Sequence, residues 1–169
     1  MRFKNKTVLI TGSSRGIGRA TAIAFAEEGA NIAVNYIKNK KAAEEVVTEI
    51  KKLDVDAIAI QADVSNEDDV QRMIKAVADH FGGIDILVNN AGIVFDIPIL
   101  EKTTEQWERT LRVNLIGTFL CTKYAVPHMK GQSGASILNI SSTNGIDSLS
   151  PESADYDTSK AGVISLTKN

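Results

Sequence analysis

Cysteine is almost missing from this chain. Cys121 is the single one among 169 residues, so no internal disulfide can form, and the composition suits a reducing compartment. Histidine is nearly as scarce: His80 and His128 lie far apart without ligand-like spacing, which speaks against a structural metal site. No unbroken apolar stretch is long enough to span a bilayer. The leading residues, Met1-Arg2-Phe3-Lys4-Asn5-Lys6, lack the apolar core and small-residue cleavage site of a secretory signal. A strong charge of one sign is missing too. The formal net charge of -2 gives no electrostatic reason to expect nucleic acid or an anionic membrane as partner. These absences leave a cytoplasmic globular protein as the expectation, and its hydrophobic and charged fractions, 43% and 24%, are ordinary for one.

What is present is a regular alternation of short apolar runs with longer amphipathic stretches. Strands are expected over Thr7–Thr11, Asn31–Tyr36, Ala57–Ala62, Ile84–Val88 and Ala135–Ile140. Helices are expected over Gly16–Glu28, Asn39–Leu53, Glu67–Phe81, one long helix over Thr104–Met129 with an irregular end near Pro127, and a last one from Tyr156 onward. Ser65 is the expected cap of the third helix, Asn39 of the second, and Thr103 with Gln106 reads as a capping box. Strands alternating with helices imply right-handed crossovers and a Rossmann-type doubly wound parallel α/β sheet, with ligands beyond the carboxyl ends of the strands. The length fits one domain over 1–169. The pattern stops inside a helix with no sixth strand, so the chain is expected to be incomplete, with C-terminal strands missing.

The first strand runs into Thr11-Gly12-Ser13-Ser14-Arg15-Gly16-Ile17-Gly18, where the next helix opens. Amides at a helix N-terminus attract anions, and glycine lets the backbone approach a pyrophosphate closely. Glycines in such a turn are a weak signal alone, and a tight turn without a ligand is the alternative. The acid that would mark an NAD site about 20 residues on is missing: the second strand ends in Asn35-Tyr36-Ile37-Lys38. Lys40 and Lys41 follow in the first helical turn, where cations are unfavourable. A 2′-phosphate would offset that, so NADP is expected ahead of NAD, with Arg15 and Lys38 as its contacts and Lys40 a looser candidate. Solvated lysines paired with Glu44 and Glu45 are the alternative.

Tyr156 and Lys160 are spaced i, i+4, which puts both side chains on one helix face. A free tyrosine titrates near pH 10, and a cation within about 4–6 Å lowers that by roughly 1–3 units, toward the range where acid–base catalysis works. Such a pair alone more often means two surface side chains. Here it follows Thr11-Gly12-x-x-x-Gly16-x-Gly18, Asp63-Val64, Asn89-Asn90-Ala91-Gly92, Asn114 and Ser141-Ser142, in that order. With these motifs the chain resembles the short-chain dehydrogenase/reductase family over its whole length.

The resemblance implies roles residue by residue. Tyr156 corresponds to the general acid–base, Lys160 to its partner and a ribose ligand, Ser142 to the donor holding the substrate carbonyl, and Asn114 to the anchor of a water. Gly12, Ser14, Arg15, Gly16, Ile17 and Gly18 correspond to the phosphate turn, Asp63 and Val64 to an adenine contact, and Asn90, Ala91 and Gly92 to a turn lining the cofactor. Simpler readings stand beside these: Asn114 tying a helix to a strand, Ser141 and Ser142 capping strand amides, Asn89–Gly92 as a plain turn, and Cys121 as core.

One departure stands out. Ser142 precedes Tyr156 by fourteen residues where the family has thirteen; the extra residue is expected in the loop 146–155, which borders the substrate. Within the family, Ser13–Gly18, Asn35-Tyr36 and Ala161–Ile164 are most similar to 3-oxoacyl-[acyl-carrier-protein] reductases, which implies an acyl-thioester substrate. Sugar dehydrogenases such as glucose 1-dehydrogenase are similar over the same stretches, and a catalytically incompetent cofactor-binding module is a further reading. The resemblance also implies a homodimer or homotetramer.

Overall fold

The central strands of this protein are short and mostly apolar because both faces of the sheet are covered there. The computed structural model describes residues 1–129, 131, 134–148 and 150–169; Leu149, in the loop expected to carry the extra residue, lies outside them. Strands β1 (Thr7–Ile10), β2 (Asn31–Tyr36), β3 (Ala57–Gln61), β4 (Ile86–Asn89) and β5 (Ser136–Asn139) pair in parallel in the order β3-β2-β1-β4-β5. Helices α1 (Gly16–Glu27), α2 (Lys40–Lys51), α3 (Glu67–Phe81), α4 (Thr104–Leu111), α5 (Gly117–Met129) and α6 (Ala154–Thr167) complete the chain.

Strand alternation divides the core in two. Leu9, Ala33 and Leu87 face one way and pack with Val70, Ile74 and Val77 of α3 and with Leu120, Cys121 and Ala125 of α5. Val8, Ile10, Ile32 and Val34 face the other way, against Ala22 and Ala26 of α1 and Val46 and Ile50 of α2. Each valine, leucine or isoleucine side chain so buried contributes roughly 1.5–3 kcal/mol. The strand order reverses between β1 and β4, and such a switch point opens a crevice at their carboxyl ends.

Several local details depart from the sequence reading. Asn66, not Ser65, caps α3, its side chain accepting from the Asp69 amide; Ser65 is drawn away by Asp63. Asn39 caps α2 and Thr103 with Gln106 forms the capping box, as expected. The expected single helix over 104–129 keeps helical backbone through its whole length but is not α throughout. A π-helical turn, Arg112–Ile116, separates α4 from α5, and Pro127 lies inside α5 rather than ending it. The last helix starts at Ala154, two residues before Tyr156, so Asp155 and Asp157 share its first turn, where acids complement the helix dipole.

Candidate active site

The glycine-rich turn is held open by hydrogen bonds from both neighbouring strands. The Gly12 amide donates to Asn35 Oδ1 at 3.0 Å, and Asn35 Nδ2 donates to the Ala62 carbonyl at 3.1 Å, so one buried amide ties the turn to the ends of β2 and β3. On the β4 side, Thr11 Oγ1 accepts from the amides of Asn90 and Ala91, both at 3.0 Å. Asn90 Nδ2 returns to the carbonyls of Thr11 and Gly12 at 2.9 and 3.3 Å. A methyl group on Gly18 would sit 2.5 Å from Asn90 Nδ2 and 2.7 Å from the Gly12 carbonyl oxygen, so only glycine fits. Helices α2, α3 and α4 carry side-chain caps, whereas Arg15 at the start of α1 supplies none. The first amides of α1 are therefore left for another anion or acceptor.

These segments enclose a cleft of about 520 Å³. Its lining includes Gly12, Ser14, Arg15, Gly16, Ile17, Gly18, Lys38, Asp63, Val64, Asn90, Ala91 and Gly92, so the whole expected cofactor set apart from Tyr156 and Lys160 meets there. Lys40 does not line it; its ammonium lies 3.5 Å from Glu44 in an exposed pair, which is the simpler reading of that lysine. The glycine cradle, the uncapped helix start and the two cations Arg15 and Lys38 fit a dinucleotide.

Arg109, which the sequence reading passed over, closes the far end of the cleft. Its guanidinium donates to Asp63 Oδ2 at 2.9 Å and to Ser65 Oγ at 2.5 Å. Burial alone would raise the Asp63 pKa, but Ser65, through its hydroxyl and amide, and the Arg109 cation outweigh it and hold the carboxylate below its usual value.

Asn114 and Lys160 lie behind Gly92, and Tyr156 stands beside Lys160. A Cβ on Gly92 would lie 3.4 Å from Asn114 Oδ1 and 3.6 Å from Lys160 Nζ. Lys160 Nζ donates to the Ile140 carbonyl at 2.7 Å and lies 5.6 Å from the centre of the Tyr156 ring. Lys160 is only 4% exposed, and burial lowers its pKa. Among the described residues it uses one of its three donors, on that carbonyl. The partly buried Tyr156 hydroxyl has no hydrogen-bond partner among the described residues.

Asn114 sits in the π-turn, a feature frequent at functional sites. Its Nδ2 donates to the Ile93 carbonyl at 2.9 Å and to Ser159 Oγ at 3.0 Å, while Oδ1 accepts from the Ile93 amide at 2.8 Å. It thus ties the turn to the segment after β4 and to α6. Ser142 Oγ accepts from the Asn144 amide at 3.2 Å, which leaves its proton free to donate. Ser141 is committed elsewhere, to the Lys160 carbonyl at 2.9 Å.

A family model described as short chain dehydrogenase matches residues 6–169. The chain belongs to the short-chain dehydrogenase family. A 3-oxoacyl-[acyl-carrier-protein] reductase FabG of Staphylococcus aureus is 48% identical over 164 residues, 97% of this chain and 66% of that protein. The 3-oxoacyl-[acyl-carrier-protein] reductase of a Synechocystis species is 45% identical over 96% of this chain and 66% of its own length. Among solved structures, a dehydrogenase/reductase from Sinorhizobium meliloti superposes with a TM-score of 0.93 at 34% identity, covering 96% of this chain and 64% of that one. The chain thus spans about two thirds of the family members it matches.

Besides Arg109, the sequence reading missed Asn35 and Thr11 as clamps of the glycine turn, and Ser159 as a partner of Asn114. The one available signal was Asn35 itself, a polar residue interrupting the apolar run that begins at Ile32. No helix among the described residues is long and apolar enough to cross a membrane.

Proposed function

We propose that this chain carries the cofactor site and proton-transfer residues of an NADPH-dependent reductase that turns the ketone of a 3-oxoacyl thioester into a hydroxyl. The observation that carries this reading is the buried Lys160: an ammonium with one protein acceptor, two spare donors and Tyr156 beside it. An ammonium is costly to bury without partners, so such a site is built for a ligand.

The nicotinamide would supply the hydride when bound. The chain's own residues do the rest. The glycine turn and the first amides of α1 hold the pyrophosphate, Arg15 and Lys38 the 2′-phosphate, and Asp63 and Val64 the adenine. Asn90, Ala91 and Gly92 line the path toward the reacting end, and the spare donors of Lys160 hold the ribose. Ser142 donates to the substrate carbonyl, and the Tyr156 hydroxyl gives it a proton as charge develops on its oxygen. Lys160 stands beside the phenol, and Asn114 fixes the segment after β4 against α6. The names of the reductases to which the chain is similar support the thioester, and the absence of an acid at the end of β2 supports NADPH. Exposed Phe119 and Val126 on α5 support a homo-oligomer.

NADPH and NADH oxidation followed with a 3-oxoacyl thioester, for wild type and Tyr156→Phe, tests this. Turnover that prefers NADPH and falls roughly 10²–10⁴-fold in the variant is the expected result. Turnover of sugars and not of the thioester replaces the substrate assignment, and binding of neither cofactor overturns the reading.

A further inference from the structure

Asp157 is a buried carboxylate one residue beyond Tyr156, and no step of the chemistry above uses it. Both of its oxygens are spent on the turn that follows β5. Asn144 Nδ2 donates to Oδ1 at 3.0 Å, and Ser148 Oγ donates to Oδ2 at 2.6 Å. Burial opposes its charge, yet these donors hold its pKa below the usual carboxylate value.

The same turn carries Ser142. Ser142 Oγ caps the Asn144 amide, and the Gly145 amide donates to the Ser142 carbonyl at 3.1 Å, so displacing Asn144 displaces Ser142. The turn also lies flush on α6: a Cβ on Gly145 would meet the Lys160 carbonyl carbon at 2.7 Å. Residues 142–148 are thereby pinned to the helix bearing Tyr156 and Lys160.

We infer that Asp157 is a positioning residue, which through Asn144 and Ser148 sets the place of the Ser142 hydroxyl relative to Tyr156. This rests on the reductase reading for Ser142, but the clamp itself can be tested without turnover.

Backbone hydrogen exchange of Gly145, Ile146 and Asp147, whose amides bond to Ser142 and Thr143, reads the clamp in the intact chain. Asp157→Ala is expected to speed exchange there at least about tenfold while Leu9 and Leu87 in the core exchange as before. Asp157→Asn keeps one acceptor and is expected to fall between. Uniform acceleration across the chain, or no change at 145–147, overturns the clamp.

Turnover then separates positioning from general support. Asp157→Ala is expected to lower kcat roughly ten- to a hundredfold with NADPH affinity unchanged, and to add nothing in a Ser142→Ala background. Losses that multiply in the double variant overturn the positioning role. Local exchange that responds as expected in a wild type without turnover on any carbonyl substrate upholds the clamp and places the failure with the reductase reading.

Discussion

Lys102 and Lys160 are both buried near the start of α6, yet their surroundings have little in common. The Lys102 side chain is 2% exposed and meets Asp155, itself 0% exposed. Its ammonium also donates to the carbonyls of Phe95 at 2.7 Å and Glu152 at 3.1 Å, and Asp155 accepts from Thr110 Oγ1 at 2.6 Å. Every donor is used, and the pair locks α4 and the segment after β4 to α6. Lys160 has one carbonyl and no carboxylate within ion-pair distance among the described residues. A buried charge with all its partners in the protein belongs to the fold; the incomplete partners of Lys160 are what the proposed cofactor site rests on.

Exchanging each lysine separates the two roles. Lys160→Met is expected to cut kcat/KM roughly 10²–10⁴-fold while the urea midpoint stays close to wild type. A loss of stability as large as that of the Lys102 variant breaks the distinction. Lys102→Ala strands Asp155 and is expected to cost roughly 3–5 kcal/mol in urea unfolding. Asp155→Leu added to Lys102→Met recovers most of that, because no buried charge is left alone.

Acid tests the Asp155 side of the comparison. Burial raises its pKa, but the Lys102 ammonium and the Thr110 hydroxyl outweigh this and set it below the unfolded value of 3.8. A lowered carboxylate stabilises fully above the unfolded pKa and loses that contribution as pH falls through the native one. Urea midpoints are therefore expected to fall steeply below about pH 4 in wild type and less steeply in Asp155→Asn. The smallest effect lies at the cleft mouth. Lys38→Ala is expected to reduce the preference for NADPH over NADH about tenfold by fluorescence titration, the worth of one charge-assisted hydrogen bond.

The sheet was legible because its signal is local: an apolar run between turns reads as a strand whatever lies elsewhere. β2 was expected at its observed bounds, and Thr103 with Gln106 announced the cap of α4 three residues apart. The π-turn at Arg112–Ile116 was not legible, since one extra residue per turn leaves a helical pattern nearly intact over so short a stretch. Ser65 was misread as a cap because its hydroxyl answers to Asp63, a loop contact that propensity does not encode. The glycine turn, Asn90–Gly92 and the Tyr156–Lys160 pair stood out through their joint resemblance to the family's motifs, not through any one spacing. Their supports, the Lys102–Asp155 pair and the bond of Arg109 to Asp63, join residues 53 and 46 positions apart and become visible only once the chain is folded.

The central claim is that the spare donors of Lys160 are completed by the cofactor. Fluorescence titration of NADPH into wild type, Lys160→Met and Lys102→Met, at matched folded fraction, tests it without turnover. The expected result is an affinity at least about tenfold weaker for Lys160→Met and nearly unchanged for Lys102→Met. Equal affinity in wild type and Lys160→Met would contradict it.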